Sequence, residues 1–167
     1  MDRPKRNDDY VIKAAALELV DALMMWADAK ESERAEYRDI AIGVMEDASH
    51  KNGYELARDL ESQGFDPDSH LVEILDGASS LLYSAHTRGL KEWVKGWNIK
   101  IPFTLGQAVM VKHKGGMVSG KITKLEPEVA MCVVCCPELG HVESGLGTHG
   151  LVINSEDIQA AEETVSV

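Results

Sequence analysis

Apolar residues recur every three or four positions in the first part of the chain, which is the period of an amphipathic helix. A first helix is predicted to begin at Asp8 or Asp9, whose carboxylates suit an N-cap, and to run to about Lys30. Its seam consists of apolar positions spaced three and four apart: Ile12, Ala16, Leu19, Leu23 and Trp26.

This first helix carries more apolar surface than one buried face needs. Val20, Met24 and Ala27 flank the seam and widen it to most of the circumference. A bundle of this size requires an apolar stripe only about 100° wide from each helix. Since two-fold dimers are the commonest soluble oligomers, these residues are predicted to form a homodimer interface.

Further helices follow at recognisable start and stop signals. Ser32 is expected to cap a second helix, and Asn52-Gly53 separates that helix from a short third one ending at Gly64. Asp66-Pro67 predicts the next helix, with the aspartate as cap and the proline in the first turn. The predicted inward positions are Tyr37, Ile40, Ala41, Val44, Met45 and Ala48 in the second helix and Leu56, Ala57 and Leu60 in the third.

The helix after Asp66-Pro67 has a long apolar face and continues to Trp97 after a predicted kink at Gly89. The face consists of Leu71, Ile74, Leu75, Ala78, Leu81, Leu82 and Ala85. Together the patterns predict an acidic α-helical domain at 8–96, a bundle of about four or five helices.

The hydrophobic period changes to two after Pro102, which indicates β-strands. Val109 and Val111 alternate with Met110 and Lys112, as in a half-buried strand, and Lys114-Gly115-Gly116 predicts a hairpin turn. Further strands are predicted at 118–122, 129–135 and 151–153. The fold class is therefore α+β, with a β-domain at 102–159 and a frayed tail at 160–167.

Four segments of this β-domain carry a family resemblance: Leu105-Gly-Gln-Ala-Val-Met-Val-Lys112, Gly120-Lys-Ile122, Ala130-Met-Cys-Val-Val134 and Gly150-Leu-Val-Ile-Asn-Ser-Glu-Asp-Ile158. In this order they resemble a small SH3-like β-barrel of the KOW or Tudor type. The resemblance implies a barrel fold and, for the KOW type, a face that contacts RNA or a nucleic-acid-binding partner. An acidic helical module joined to a small barrel also resembles accessory proteins of phages and other mobile elements.

Charge argues against a broad nucleic-acid footprint. The chain has 28 acidic and 17 basic residues and a net charge of −11, whereas nucleic-acid binding needs clustered positive charge. The alternative is a local contact through the lysines of the first hairpin, Lys112, Lys114, Lys121 and Lys124. No uncharged stretch is long enough to span a membrane, and a cytoplasmic location is expected.

The cysteines Cys132, Cys135 and Cys136 crowd into five positions, an odd number that makes a poor disulfide framework. Core packing is the favoured interpretation, and no cofactor is expected. One alternative is a zinc site built from Cys132, Cys135, His141 and His149. Another is a thiol- or metal-dependent enzyme centred on Cys135, Cys136 and His141.

Gly145-Leu-Gly147-Thr-His-Gly150 has the spacing of a dinucleotide-binding loop, but a strand follows it where that loop requires a helix. A surface loop is predicted instead.

Helices two and three are predicted to present many carboxylates to solvent. Such a face can bind a basic surface, including one that normally holds nucleic acid. The acidic positions are Glu31, Glu33, Glu36, Asp39, Glu46, Asp47, Glu55, Asp59 and Glu61. The resulting hypothesis is a non-enzymatic regulatory protein that acts through protein–protein contacts.

Overall fold

The computed structural model describes residues 2–141, 143–144 and 147–161, and it has an α+β architecture in which helices precede an antiparallel sheet. The predicted fold class is confirmed at this level. The chain divides into two compact units, unit 1 up to Gly89 and unit 2 from Leu90. Within the described part of the chain, every helix is too short or too polar to cross a bilayer.

Unit 1 is built from α-helices that share one apolar core. They are α1 (Asp9–Trp26), α2 (Arg34–Asp47), α3 (Gly53–Ser62), α4 (Ser69–Asp76) and the first part of α5 (Ala78–Trp97), with a 3₁₀ turn at Glu31–Glu33 before α2. The core contains the predicted inward residues of α3 and most of those of α2, whereas Tyr37 and Ile40 of α2 are partly buried and pack against it.

Several helices begin or end at residues other than those predicted. Asp8 is the N-cap of α1, but its side chain accepts from the Lys5 N–H at 2.8 Å instead of the first turn. Ser32 lies inside the 3₁₀ turn, where Glu33 accepts from the Lys30 N–H, so it does not cap α2. Asp28 has a positive φ of 50°, and α1 therefore ends at Trp26, before the predicted Lys30.

The helix predicted from Asp66-Pro67 begins later and is interrupted earlier. Asp68, not Asp66, is the N-cap, because its carboxylate accepts from the Leu71 N–H at 2.8 Å. The break lies at Gly77, between α4 and α5, and not at Gly89, which is within α5.

Unit 2 contains a curled five-stranded antiparallel sheet. Its strands are β1 (Ala108–His113), β2 (Gly116–Glu126), β3 (Met131–Cys135), β6 (Leu151–Asn154) and β7 (Ile158–Ala160), in the order β6-β3-β2-β1-β7. A separate pair is formed by β4 (Glu143–Ser144) and β5 (Gly147–Thr148). The Lys114-Gly115-Gly116 turn joins β1 to β2 as predicted, with Lys114 and Gly115 at positive φ.

One side of the sheet carries a second apolar core, which includes Val109, Val111, Ile122, Cys132, Val134, Cys136 and Ile158. Gly120 permits the close approach of β2 and β3, since a Cβ there would lie 2.6 Å from Val134 Cγ1 and 2.8 Å from Cys136 Sγ.

The end of α5 belongs to unit 2. Leu90 is buried, and Lys91 Nζ lies 3.0 Å from Glu128 Oε2 in the 3₁₀ turn Pro127–Val129. The boundary between the two units, after Gly89, therefore lies N-terminal to the predicted domain limits at residues 96 and 102.

Candidate protein-binding site

A cleft separates α2 from α3 in unit 1. Helix α2 packs mainly on α1, and α3 packs mainly on α4, so the facing sides of α2 and α3 are only partly covered. The cleft has a volume of about 470 Å³. We call it the α2–α3 groove, and its lining is Asp39, Ile40, Gly43, Val44, Glu46 and Asp47 from α2 with Leu56, Asp59, Leu60 and Gln63 from α3.

The groove has an apolar floor and a gap above it. Val44, Leu56 and Leu60 are buried side chains of the unit 1 core, and Ile40 is half-buried against that core. Gly43 is exposed, and a Cβ built on it would meet no atom within 4 Å. Glycine in a helix interior costs about 1 kcal/mol relative to alanine, so Gly43 lowers the stability of α2 and leaves this position of the groove without a side chain.

The N-terminus of α3 is held in position by a local capping box and by a contact with α4. Asn52 Oδ1 accepts from the Glu55 N–H at 3.0 Å, and Glu55 accepts from the Asn52 N–H at 2.9 Å, which forms a capping box. The Gly53 N–H donates to Asp76 Oδ1 at 2.7 Å. A side chain on Gly53 would collide with that carboxylate and with the α4 backbone.

Lys51 joins α2 to α3 beside the groove. Its ammonium lies 2.7 Å from both Asp47 Oδ2 and Asp59 Oδ2. Hydrogen bonds to these two carboxylates raise the pKa of Lys51 above its usual value, so the bridge stays charged. Lys51 therefore neutralises part of the charge of Asp47 and Asp59.

Two other carboxylates of the groove are not neutralised in this way. Among the described residues, no ion pair or hydrogen bond engages the side chain of Asp39 or Glu46. Asp39, Gly43 and Glu46 are spaced four and three apart on α2 and so share one face of the helix. The α2 side of the groove is thus a carboxylate, a gap and a second carboxylate in line.

The residues of α1 predicted to form a dimer interface are mostly buried within unit 1. Val20 is 1% exposed and Met24 is 8% exposed, both within the core, and Ala27 is half-buried just after the helix. The extra apolar positions of α1 therefore serve the fold of a single chain. The apolar side chains that α1 leaves outside are Leu17, 53% exposed, and Met25, 83% exposed.

The three cysteines are all buried, and alternation along β3 separates Cys132 from Cys135. Cys132 and Cys136 belong to the apolar core of unit 2, whereas Cys135 lies on the opposite face of β3. Burial raises the pKa of the Cys132 thiol, and burial with the nearby Cys135 and Glu138 raises that of Cys136. A raised pKa disfavours the thiolate that a nucleophile or metal ligand requires.

The two candidate histidines do not join the cysteines in a metal-binding cluster. His141 Nδ1 accepts from the Cys136 backbone N–H at 3.3 Å, and the described residues contain no group of three His, Cys, Asp or Glu side chains placed to hold a metal ion. Within the glycine-rich segment predicted as a surface loop, Gly147–Thr148 forms strand β5, and residues 145–146 lie outside the described residues. Ala160 belongs to strand β7 and not to the predicted tail, of which residues 162–167 lie outside the described residues.

The four candidate lysines do not form one dense patch. Lys112 and Lys121 are exposed on the same face of β1 and β2, but Lys112 is paired with Met117, and Lys121 with Ala108, four positions along β1. That offset is about 13 Å. Lys114 is in the hairpin turn, and Lys124 Nζ pairs with Glu126 Oε1 at 2.6 Å.

Comparison with known proteins gives no relative: no family model, curated protein or solved structure matches the chain.

The groove was only partly foreseeable from the sequence. Acidic surface on the second and third helices was predicted, and the structure places Asp39, Glu46, Asp47 and Asp59 along one cleft. The missed signal was Gly43, a glycine in the middle of an otherwise strong helical pattern, which commonly has a packing or functional reason.

Proposed function

We propose that this chain is a non-enzymatic regulatory protein that holds a segment of another protein in the α2–α3 groove. The observation that carries the proposal is the open gap over Gly43 above an apolar floor. Groove recognition of this kind places apolar anchors of the partner on apolar side chains while the rim supplies specificity.

The surroundings of the groove support a binding role. Lys51 and the capping box of Asn52 hold α2 and α3 in place, so the cleft is formed before a partner arrives. A preformed site avoids the ordering cost that a flexible surface would incur on binding.

For unit 2 we propose an SH3-like barrel. Support comes from the strand order β6-β3-β2-β1-β7, in which the last strand, β7, returns to pair with the first, β1. The 3₁₀ turn Ser155–Asp157 connects β6 to β7, as expected for the Ser-Glu-Asp segment of the resemblance. We also propose a cytoplasmic setting, since three free buried thiols suit a reducing compartment.

The protein-binding function can be tested by selecting displayed random peptides on the immobilised full-length protein. Each selected peptide is then measured against Gly43→Met and against Gly96→Met. Both glycines lie in helices, and a Cβ at either meets no atom within 4 Å, so Gly96→Met is a matched control outside the groove.

We expect peptides whose affinity falls at least about tenfold with Gly43→Met and is unchanged with Gly96→Met. If every selected peptide binds both variants as it binds the natural chain, the groove is not the binding site.

A further inference from the structure

We infer that the occupant of the α2–α3 groove is a basic amphipathic helix whose cationic residues stand seven positions apart, with one apolar anchor midway between them. This inference rests on the proposed function and adds the chemistry and spacing of the partner. It follows from the alternation of charge and gap along α2.

The seven-residue spacing of the partner's cationic residues follows from the spacing of Asp39 and Glu46 on α2. Asp39 and Glu46 are seven residues apart, which is about 10.5 Å along the axis of an α-helix. Gly43 lies between them on the same face. A partner helix lying along α2 would present side chains at positions i and i+7 with the same separation, and its i+3 or i+4 side chain would lie over Gly43.

The basic character of the partner follows from the carboxylates of Asp39 and Glu46 along the α2 side of the groove. Asp39 and Glu46 have no ion-pair partner among the described residues, while Asp47 and Asp59 already share Lys51. Lysine or arginine at i and i+7 of the partner would therefore meet two available carboxylates. An anionic segment would meet like charge at both places, which is unfavourable.

The apolar anchor of the partner follows from the apolar residues at the floor of the groove. Half-buried Ile40 offers most of the apolar side-chain surface, with Val44 and Leu60, 5% and 3% exposed, beneath it. The absence of a side chain on Gly43 leaves room beside Ile40 for one apolar group. A leucine, methionine or phenylalanine at i+3 or i+4 of the partner fits this opening. The length of the groove also favours a helix, since its α2 lining from Asp39 to Asp47 covers about 12 Å, roughly two helical turns.

A charge-swap experiment tests the inference. The probe is a fluorescent alanine-rich helical peptide with lysines at i and i+7 and leucine at i+4. A second peptide carries glutamates in place of the lysines, and a third carries alanine in place of the leucine. Binding to the full-length protein is measured by fluorescence anisotropy at low and high salt.

The lysine peptide should bind the natural chain, more weakly at high salt, and the alanine-for-leucine peptide should bind at least about tenfold more weakly. The double variant Asp39→Lys with Glu46→Lys should bind the lysine peptide about three- to tenfold more weakly than the natural chain does. The same variant should bind the glutamate peptide more tightly than the natural chain does. An Asp66→Lys with Glu73→Lys variant keeps the same net charge change outside the groove and should show neither effect.

Other outcomes overturn the inference. They are no binding of the lysine peptide, equal binding of both charged peptides to the natural chain, or failure of the swapped variant to exchange its preference. If selected peptides still depend on Gly43 in these cases, the proposed function stands and only the partner chemistry is wrong. If none depends on Gly43, both fail.

Discussion

The indole nitrogen of Trp26 donates a hydrogen bond to Asp68 Oδ1 over 2.9 Å and so joins the end of α1 to the N-cap of α4. The same carboxylate oxygen accepts from the Leu71 N–H at 2.8 Å. These bonds from Leu71 and Trp26 lower the pKa of Asp68, because they stabilise its charged form.

This pair predicts a specific pH dependence of stability. A carboxyl group with a lowered folded-state pKa stabilises the fold above its unfolded pKa, about 3.9, and loses that contribution as the pH falls through the folded value. Asp68→Asn keeps an acceptor oxygen but cannot ionise. We expect the natural chain to be more stable than Asp68→Asn at neutral pH and the difference to shrink as the pH falls below about 4.

Urea unfolding at neutral and acidic pH measures this difference, with Asp66→Asn as an exposed neighbour that should leave the profile unchanged. A constant gap between the natural chain and Asp68→Asn at all pH values would mean that ionisation of Asp68 does not support the fold.

Replacing Gly43 by alanine should stabilise unit 1. The new methyl group meets no neighbour within 4 Å, and alanine has the higher helix propensity, so a gain of up to about 1 kcal/mol in the free energy of unfolding is expected. Thermal or urea unfolding measures it. A loss of stability would show that the space over Gly43 is filled by the protein itself.

Replacing Cys132 or Cys136 by alanine should lower the free energy of unfolding by about 1–3 kcal/mol, since both side chains are in the core of unit 2. Thiol reagents should react slowly with the folded protein and rapidly once it is unfolded. Stoichiometric zinc in the purified protein, lost with Cys132→Ala, would contradict the core role and favour a metal site.

Substitutions at two neighbouring methionines of α1, Met24 and Met25, test stability and assembly separately. Met24→Glu places a charge among buried side chains and should destabilise the chain by several kcal/mol, whatever its oligomeric state. Met25→Glu, at an exposed position, should leave stability nearly unchanged. If the protein is a dimer through α1, Met25→Glu should shift its mass toward the monomer in light scattering. A dimer mass that Met25→Glu does not change would place the interface elsewhere.

Several sequence predictions were confirmed because a single local signal decides them. The period change after Pro102, the glycine hairpin at 114–116 and the inward residues of α2 depend on nearby residues alone. Two of the misplaced helix starts reflect short-range bonds, in which Asp8 and Glu33 accept from backbone N–H groups three residues earlier, whereas a third depends on a tertiary contact. Asp68 is the cap of α4 partly because Trp26, 42 residues earlier, holds its carboxylate. The surplus apolar surface of α1 likewise went to the core, which the sequence pattern of one helix could not reveal.

The most direct test of the account is to locate the bound peptide on the protein by NMR. In an isotope-labelled full-length sample titrated with the lysine peptide, amide shifts should change along 39–47 and 56–63, and these changes should vanish in the Gly43→Met variant. Shift changes confined to the β1–β2 hairpin, with the α2 and α3 amides unmoved, would contradict the assignment of the α2–α3 groove as the binding site.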